Sequence, residues 1–158
     1  MARVKKIMLT NVPTLKKEAK IGEAAKLLAQ NQSGCVVIVE NNKPIGIVTE
    51  LDFVRNLPKS KNFNDLITKI MSSPVVAINP ATSLEKASKI IDTRHFRRYP
   101  VVNGDALLGI VTEHDIVQAI NDNIKFHRNL QNAILIVFVI FEFFVFVLYH
   151  YLKSFFPF

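Results

Sequence analysis

Two short stretches of the sequence each place a hydroxyl and a carboxylate three residues apart. The first reads GIVTELD and contains Thr49 and Asp52, and the second reads GIVTEHD and contains Thr112 and Asp115. The β-branched pair before each threonine favours a buried strand, and the Thr-Glu-x-Asp pattern favours the start of a helix. Each stretch therefore predicts a strand-to-helix turn, where free backbone N–H groups and the helix dipole favour ligand binding.

These stretches are part of a longer internal repeat. Thr112 follows Thr49 by 63 residues, and the same shift aligns residues 7–57 with residues 70–120 without a gap. The apolar pattern agrees over the whole aligned length, which a chance match of one short motif would not produce. Two copies are too few for a solenoid, so the repeat predicts two lobes related by internal pseudo-symmetry.

Each repeat shows the same order of predicted elements: an extended segment, a helix, two strands joined by a turn, and a closing helix. Apolar residues spaced by three and four from Ile21 predict the first helix, and the apolar run at 35–39 predicts a buried strand. The predicted divisions are a first repeat at 5–57, a linker at 58–69, a second repeat at 70–121, a basic juxtamembrane segment at 122–130, a hydrophobic helix at 131–152 and a tail at 153–158.

Composition and motif content limit the classes of function that the chain could have. The net charge is +7, but no helix-turn-helix, zinc-finger or aromatic RNA-binding pattern accompanies it, so nucleic-acid binding is not expected. Cys35 is the only cysteine, which excludes an intrachain disulfide and a cysteine metal cluster. Neither a nucleophile–base pair, a metal-ligand pattern nor a glycine-rich phosphate loop is evident, so we expect no enzyme activity, no catalytic residue and no metal site.

The last part of the chain matches neither repeat. Residues 133–148 contain one charged residue, Glu142, and with the residues up to Leu152 the apolar segment is long enough to span a bilayer as a helix. Lys125 and Arg128 precede the segment, a weak asymmetry that favours a membrane anchor with the repeats on the cytoplasmic side. The alternatives are a buried or dimer-forming helix in a cytoplasmic protein and an artefact of the reading frame.

The repeated motifs resemble the cystathionine β-synthase (CBS) domain family, as a tandem pair called a Bateman module. The resemblance covers about residues 5–121 and is carried by both GIVTExD stretches and by further matching positions: Met8, Met71, Pro74-Val75-Val76 and Arg97-Arg98-Tyr99-Pro100-Val101-Val102. It implies an α/β fold in which two β-α-β-β-α units pack through their sheets as a pseudo-two-fold pair. It also implies pairing of such modules into homodimers.

The resemblance further implies that the clefts between the repeats bind adenosine-containing ligands, namely AMP, ADP, ATP or S-adenosylmethionine. The aspartates of the two motifs would bind the ribose hydroxyls, the threonines would lie near the ribose or phosphate, and two arginines would hold phosphate. The implied ligand-binding residues are Thr49, Asp52, Arg97, Arg98, Thr112 and Asp115. A nucleotide would act as a regulatory ligand and not as a cofactor.

The two repeats differ at the predicted phosphate-binding positions. Arg97 and Arg98 align with Gly34 and Cys35, so the first repeat supplies no such arginines. We therefore predict one cleft competent for phosphate and one that is weaker, empty or differently occupied. The simpler interpretation is that the threonines are helix caps, the aspartates are solvated first-turn acids and the arginines are a solvated face.

Two functional hypotheses follow from these observations. In the first, the chain is a regulatory sensor that binds an adenosine-containing ligand and signals to an effector protein whose identity the sequence does not reveal. In the second, the clefts are empty and the module binds a partner, with its tail tethering it to a membrane protein. The arginine pair favours the first hypothesis, and the lack of arginines in the first repeat favours the second.

Overall fold

The computed structural model describes residues 2–30, 34–56, 62–94 and 96–155, with side chains through Leu152. The chain forms two compact units, residues 1–118 and residues 119–158. Three sequence predictions lie wholly or partly outside the described residues: the end of the first helix, which Asn31, Ser33 and Gly34 predict, the junction of first repeat and linker at 57–61, and the end of the tail at 156–158.

The first unit contains the predicted element order twice. The first repeat comprises β1 (Thr14–Lys16), α1 (Ile21–Gln30), β2 (Cys35–Glu40), β3 (Lys43–Thr49) and α2 (Glu50–Asn56). The second repeat comprises α3 (Leu84–Arg94), β4 (Arg98–Asn103), β5 (Ala106–Thr112) and the start of α4 (Glu113–Phe155). Short 3-10 helices lie at or just before the start of the repeats, at Val4–Lys6 and Ile67–Lys69. The predicted α/β arrangement is confirmed.

Local capping explains where the two longer helices of the repeats begin. The backbone N–H of Lys20 donates to the Glu23 carboxylate over 2.9 Å, so a first-turn acid closes the start of α1. At α3, the Ser83 hydroxyl accepts from the Lys86 N–H over 3.3 Å. Ser83 is therefore the N-cap residue, whereas the sequence is compatible with either Ser83 or Thr82 in this role.

The sheets of the two repeats differ in size. In the first, β1 pairs in parallel with β2, and β2 pairs antiparallel with β3. In the second, β4 and β5 form the antiparallel pair, and the third strand is reduced to one parallel bridge between Ile78 and Val101. That bridge lies 63 residues after the pairing of Leu15 with Ile38, so the same contact is made in both repeats.

The central strand β2 separates two apolar clusters because successive side chains point to opposite faces of a sheet. Val36 and Ile38 pack with Val48 and with residues of α1, on the helix-covered face. Cys35 and Val37 pack with Ile110 of the other repeat. The second cluster joins the two repeats through their sheets, as the resemblance implied, and each fully buried Val or Ile stabilises it by about 1.5–3 kcal/mol.

The N-terminal segment of each repeat crosses over to the other repeat. Leu9 and Ile110 exchange two backbone hydrogen bonds of 2.9 Å, and Ser72 and Ile47 exchange two of 2.9 and 3.0 Å. The two pairs are equivalent under the 63-residue shift, so the first segment adds to β5 and the second adds to β3. This exchange ties the two repeats together and brings residues of one repeat beside the motif of the other.

The helix that closes the second repeat does not end at Ile120, where the repeat pattern predicts its end. It runs from Glu113 to Phe155, through both the basic segment at 122–130 and the hydrophobic segment. The chain contains neither glycine nor proline between Glu113 and Leu152, so no residue in this stretch breaks the helical hydrogen bonding. Within the described part of the chain, this is one helix that by length and composition is able to cross a membrane.

Candidate functional site

The first motif holds its aspartate in a closed network of hydrogen bonds. Thr49, the last residue of β3, donates to Asp52 Oδ2 through its backbone N–H (2.8 Å) and its hydroxyl (2.7 Å). Ser72, brought to this position by its bridge to Ile47, donates its hydroxyl to Asp52 Oδ1 over 2.9 Å. Both carboxylate oxygens are therefore engaged, and Asp52 is only 7% exposed.

The second motif repeats the cap but leaves its carboxylate half-buried. Thr112 donates to Asp115 Oδ2 through its N–H (2.9 Å) and its hydroxyl (2.7 Å), and its hydroxyl accepts from the Asp115 N–H over 3.1 Å. The residue equivalent to Ser72 is Leu9, which has no side-chain donor. Oδ1 of Asp115 has no hydrogen-bond partner among the residues that the structure describes.

The helix-cap interpretation is confirmed for Thr112, whose hydroxyl accepts from a helix N–H. Thr49 is at the equivalent position, but its hydroxyl and N–H both donate to Asp52. The two aspartates then differ in the oxygen that remains available. The cap uses one oxygen of each aspartate and fixes the plane of the carboxylate. In the first repeat the second oxygen is bonded to Ser72. In the second repeat the second oxygen is able to accept a hydrogen bond from a ligand hydroxyl.

Arg98 reaches from the second repeat to the first. It is the first residue of β4 and lies opposite Thr112 in the antiparallel register, so both side chains are on the same face of the sheet. Its guanidinium packs against Gly34, just before β2 of the first repeat. The residue equivalent to Arg98 is Cys35, which is buried and lies opposite Thr49.

The structure separates the two predicted arginines. Arg97 precedes β4, is exposed, and accepts a hydrogen bond from the Glu113 N–H through its carbonyl oxygen over 3.0 Å. It lines a cavity of about 390 Å³ between α3 and the beginning of α4. The other residues around that cavity are Ser88, Lys89, Ile91, Asp92, Phe96, Glu113, Ile116 and Val117. Arg98 packs against the other repeat and does not line this cavity.

Sequence reasoning did not identify Ser72 or Gly34 as residues of the candidate site. The sequence does contain a clue to each residue, because the 63-residue alignment pairs Ser72 with Leu9 and Gly34 with Arg97. A polar residue aligned with an apolar one, and a glycine aligned with an arginine, mark positions where the two clefts differ. The alignment alone does not show that these positions face Asp52 and Arg98.

Comparison with known proteins agrees with this architecture. The sequence model of the CBS domain matches residues 4–59 and 67–122. The CBS domain-containing protein YhcV of Bacillus subtilis is 33% identical over 117 residues, which cover 73% of this chain and 84% of YhcV. An uncharacterized protein of Methanocaldococcus jannaschii, MJ1404, is 32% identical over 135 residues, but the match spans only 32% of its length.

A solved structure shares the same fold. The CBS domain pair of protein MJ0100, determined in complex with 5′-methylthioadenosine and S-adenosyl-L-methionine, superposes with a TM-score of 0.69 at 25% sequence identity. The superposition covers 77% of this chain and 98% of that one. The duplicated motif, the repeat order, the exchanged segments and these matches lead to one conclusion: the chain belongs to the CBS domain family and carries a tandem pair of CBS repeats.

Proposed function

We propose that this CBS pair is a regulatory module that binds one adenosine-containing ligand in the cleft beside Asp115. The observation that carries the proposal is the difference between the two motif aspartates. Asp52 has both oxygens engaged by Thr49 and Ser72, whereas Asp115 keeps Oδ1 available. Among the described residues, none makes a hydrogen bond that a ligand at Asp115 would have to displace from that oxygen.

The chemistry of a ribose fits this carboxylate. An ionised carboxylate only accepts hydrogen bonds, and a ribose presents two neighbouring hydroxyl donors. Such charge-assisted bonds are roughly twice as strong as neutral ones. Thr112 holds the carboxylate plane in place before the ligand arrives, which reduces the ordering cost of binding.

The first cleft is the weaker binding site in this proposal. A ribose at Asp52 would have to replace the hydroxyl of Ser72, so it would gain little beyond the hydrogen bond that it breaks. The residue equivalent to Arg98 is Cys35, which carries no charge for a phosphate. We therefore expect one occupied cleft per chain.

Arg98 is the residue that we propose for the ligand phosphate. It shares a sheet face with Thr112, whose hydroxyl is bonded to Asp115, so a nucleoside held by Asp115 would have its 5′ substituent close to this arginine. The guanidinium binds phosphate oxygens through a planar pair of N–H donors. Arg97, which is exposed and directly precedes Arg98, is a second candidate for binding the ligand phosphate.

The ligand class follows from these groups and from the related structure. The MJ0100 pair was determined with two adenosine-containing ligands, which supports the same class here. The arginine favours a ligand that carries phosphate, and AMP is the smallest one. S-adenosylmethionine, which has a cationic sulfur, is the ligand that Arg98 would disfavour.

Titration calorimetry on the full-length protein in detergent micelles tests this proposal. AMP, ATP and S-adenosylmethionine are added in turn, and we expect AMP to bind with one site per chain. Asp115→Asn should abolish the heat of binding, whereas Asp52→Asn, its counterpart in the other repeat, should retain it. Two equal sites, or binding that survives Asp115→Asn, would contradict the proposal.

We also propose that α4 anchors the module to a membrane, with the CBS pair on the cytoplasmic side. The support is the length and apolar composition of the segment up to Leu152, whose described side chains from Asn121 onward are all exposed. Expressed full-length protein should float with vesicles and resist extraction at alkaline pH. If the protein stays in the soluble fraction, the helix is instead an interaction helix of a cytoplasmic protein.

A homodimer is the assembly that we propose for the module. Phe96 and Val117 line the cavity between α3 and the beginning of α4 among polar and charged residues, and each of the two is 49% exposed. A second copy of this face would cover both side chains. Light scattering in detergent should give the mass of two chains, and Val117→Glu should reduce it to one.

A ligand-free module that binds a partner protein is the second candidate function. The closed network around Asp52 favours it, because that cleft offers no unbonded carboxylate oxygen. The same calorimetry separates the two functions, since a ligand-free module would give no heat with any adenosine-containing compound.

A further inference from the structure

A glycine of the first repeat adjoins the proposed phosphate arginine of the second. Gly34 has a φ of +61°, a conformation that glycine adopts without a steric penalty. A Cβ atom placed at Gly34 would overlap Arg98 Nη2 and would lie 3.3 Å from Arg98 Cζ. The guanidinium therefore occupies the volume that any side chain at position 34 would need.

Comparison of equivalent positions in the two repeats shows why the contact between Gly34 and Arg98 needs a small residue. Gly34 is the counterpart of Arg97, and Cys35 is the counterpart of Arg98, so the first repeat has two small residues where the second has two arginines. Gly34 of this pair gives space to the guanidinium that crosses between the repeats. The absence of a large side chain in the first repeat is thus a requirement for the position of Arg98 in the second.

We propose that Gly34 is a specificity-determining residue of the Asp115 cleft, because it holds the Arg98 guanidinium where it selects phosphorylated adenosine ligands. The inference rests on the proposed function and adds the residue that sets its phosphate preference. A guanidinium binds phosphate well only when its planar fork is aligned, and a displacement of about 1 Å is costly. A methyl group at position 34 must displace Arg98 because the two would overlap.

The chain contains a matched control for the backbone conformation. Gly104, in the hairpin turn between β4 and β5, has a φ of +60°, and no described heavy atom lies within 4 Å of the position that a Cβ would take there. An alanine at either glycine incurs the same left-handed strain, of order 1 kcal/mol. Only the alanine at position 34 also meets Arg98, so the difference between the two variants isolates the contact.

The experiment measures the ratio of AMP affinity to adenosine affinity in full-length protein in micelles. In the unaltered protein, we expect AMP to bind about tenfold or more tightly than adenosine, since a hydrogen bond to a charged group is worth about 1.5–3 kcal/mol. Gly34→Ala should bring the ratio close to one and leave adenosine affinity within about twofold. Gly104→Ala should keep the original ratio, and Arg98→Met should lose it.

The outcomes separate this inference from the proposed function. If the unaltered protein binds neither compound, the proposed function fails and the inference fails with it. If AMP is preferred but Gly34→Ala retains the preference, the inference alone is overturned. Should Gly34→Ala fail to fold, thermal melts of the Gly34→Ala/Arg98→Ala double variant decide the matter. Recovery of the melting temperature to that of Gly104→Ala supports the contact, and no recovery overturns it.

Discussion

The hydroxyl of Ser72 donates a hydrogen bond of 2.9 Å to Asp52 Oδ1, across the boundary between the two repeats. Ser72 is in the N-terminal segment of the second repeat, and it reaches the first motif because that segment pairs with Ile47. Leu9 makes the equivalent backbone contact with Ile110 but offers no hydroxyl. Because of this one side-chain difference, both carboxylate oxygens of one motif are bonded, whereas the other motif keeps one oxygen available to a ligand.

Leu9→Ser should give Asp115 the second hydrogen bond that Ser72 gives Asp52. A serine at position 9 would be placed to donate to Asp115 Oδ1 as Ser72 donates to Asp52, so a ribose would have to displace it. We expect AMP affinity to fall about tenfold, the equivalent of one hydrogen bond to a charged group. Calorimetry measures the change, and Leu9→Ala, which shortens the side chain without adding a donor, is the control. Equal losses in both variants would contradict the prediction.

Ser72→Ala should destabilise the fold. The nearly buried Asp52 would lose one of the hydrogen bonds to its carboxylate, at a cost of about 1–3 kcal/mol in the free energy of unfolding. Denaturant titration measures this change. The neighbouring Ser73→Ala removes a hydroxyl that bonds only the carbonyl oxygen of Ile45 over 2.9 Å, and its effect should be smaller. Equal losses of unfolding free energy in the two variants would contradict the prediction that the bond to the carboxylate is the stronger one.

Replacing the two motif threonines should have different functional consequences. Thr49→Val and Thr112→Val each remove a hydroxyl that donates to the motif aspartate, and each should lower the free energy of unfolding by about 1–3 kcal/mol. Only Thr112→Val should also weaken AMP binding, because Thr112 orients the carboxylate that is available to ligand. Parallel denaturation and calorimetry check both effects. Weaker binding in Thr49→Val alone would reverse the assignment of the cleft.

Gly109→Ala should be more destabilising than Gly46→Ala. A Cβ at Gly109 would lie 2.5 Å from the carbonyl oxygen of Leu9, which is fixed by its pairing with Ile110. A Cβ at Gly46 would instead meet the flexible thioether end of Met71, which is able to move aside. Overpacking against rigid backbone should cost about 1–3 kcal/mol or more in unfolding free energy, and chemical denaturation of both variants compares them.

Tyr99→Phe should make the protein more stable, and most clearly at alkaline pH. The Tyr99 side chain is fully buried, and its hydroxyl has no hydrogen-bond partner among the described residues, so removing it should recover about 1 kcal/mol. Burial raises the pKa of Tyr99, and the charge of Glu113 adds to that rise.

The sign of the pH effect follows from that raised pKa. Below pH 10, the ordinary pKa of tyrosine, the group is neutral in both the folded and the unfolded chain, and stability is retained. As the pH rises from there through the higher pKa of folded Tyr99, the unfolded chain is favoured and stability falls. Thermal melts between pH 8 and about 11 should show a smaller decline for Tyr99→Phe. Identical declines would mean that Tyr99 is not the group responsible.

Local sequence patterns are enough to predict the repeat, its order of elements and the starts of its helices. A shift of 63 residues, the apolar spacing from Ile21, and Thr-x-x-Asp at two strand ends are local patterns, and the hydrogen bonds that they predict are made between residues three apart. Local patterns suffice because a helix start or a strand is stabilised mainly by its own neighbours in the chain and by the face that it buries.

The difference between the candidate sites of the two repeats depends on contacts between residues that are distant in the sequence. Asp52 meets Ser72 because a segment crosses to the other repeat, and Arg98 packs on Gly34 because the two sheets face each other at Cys35, Val37 and Ile110. The alignment identifies which positions differ, but the distances between them depend on how two packed sheets and two exchanged segments fit together. Contacts between residues 20 or 64 positions apart arise from that packing, which no local pattern encodes.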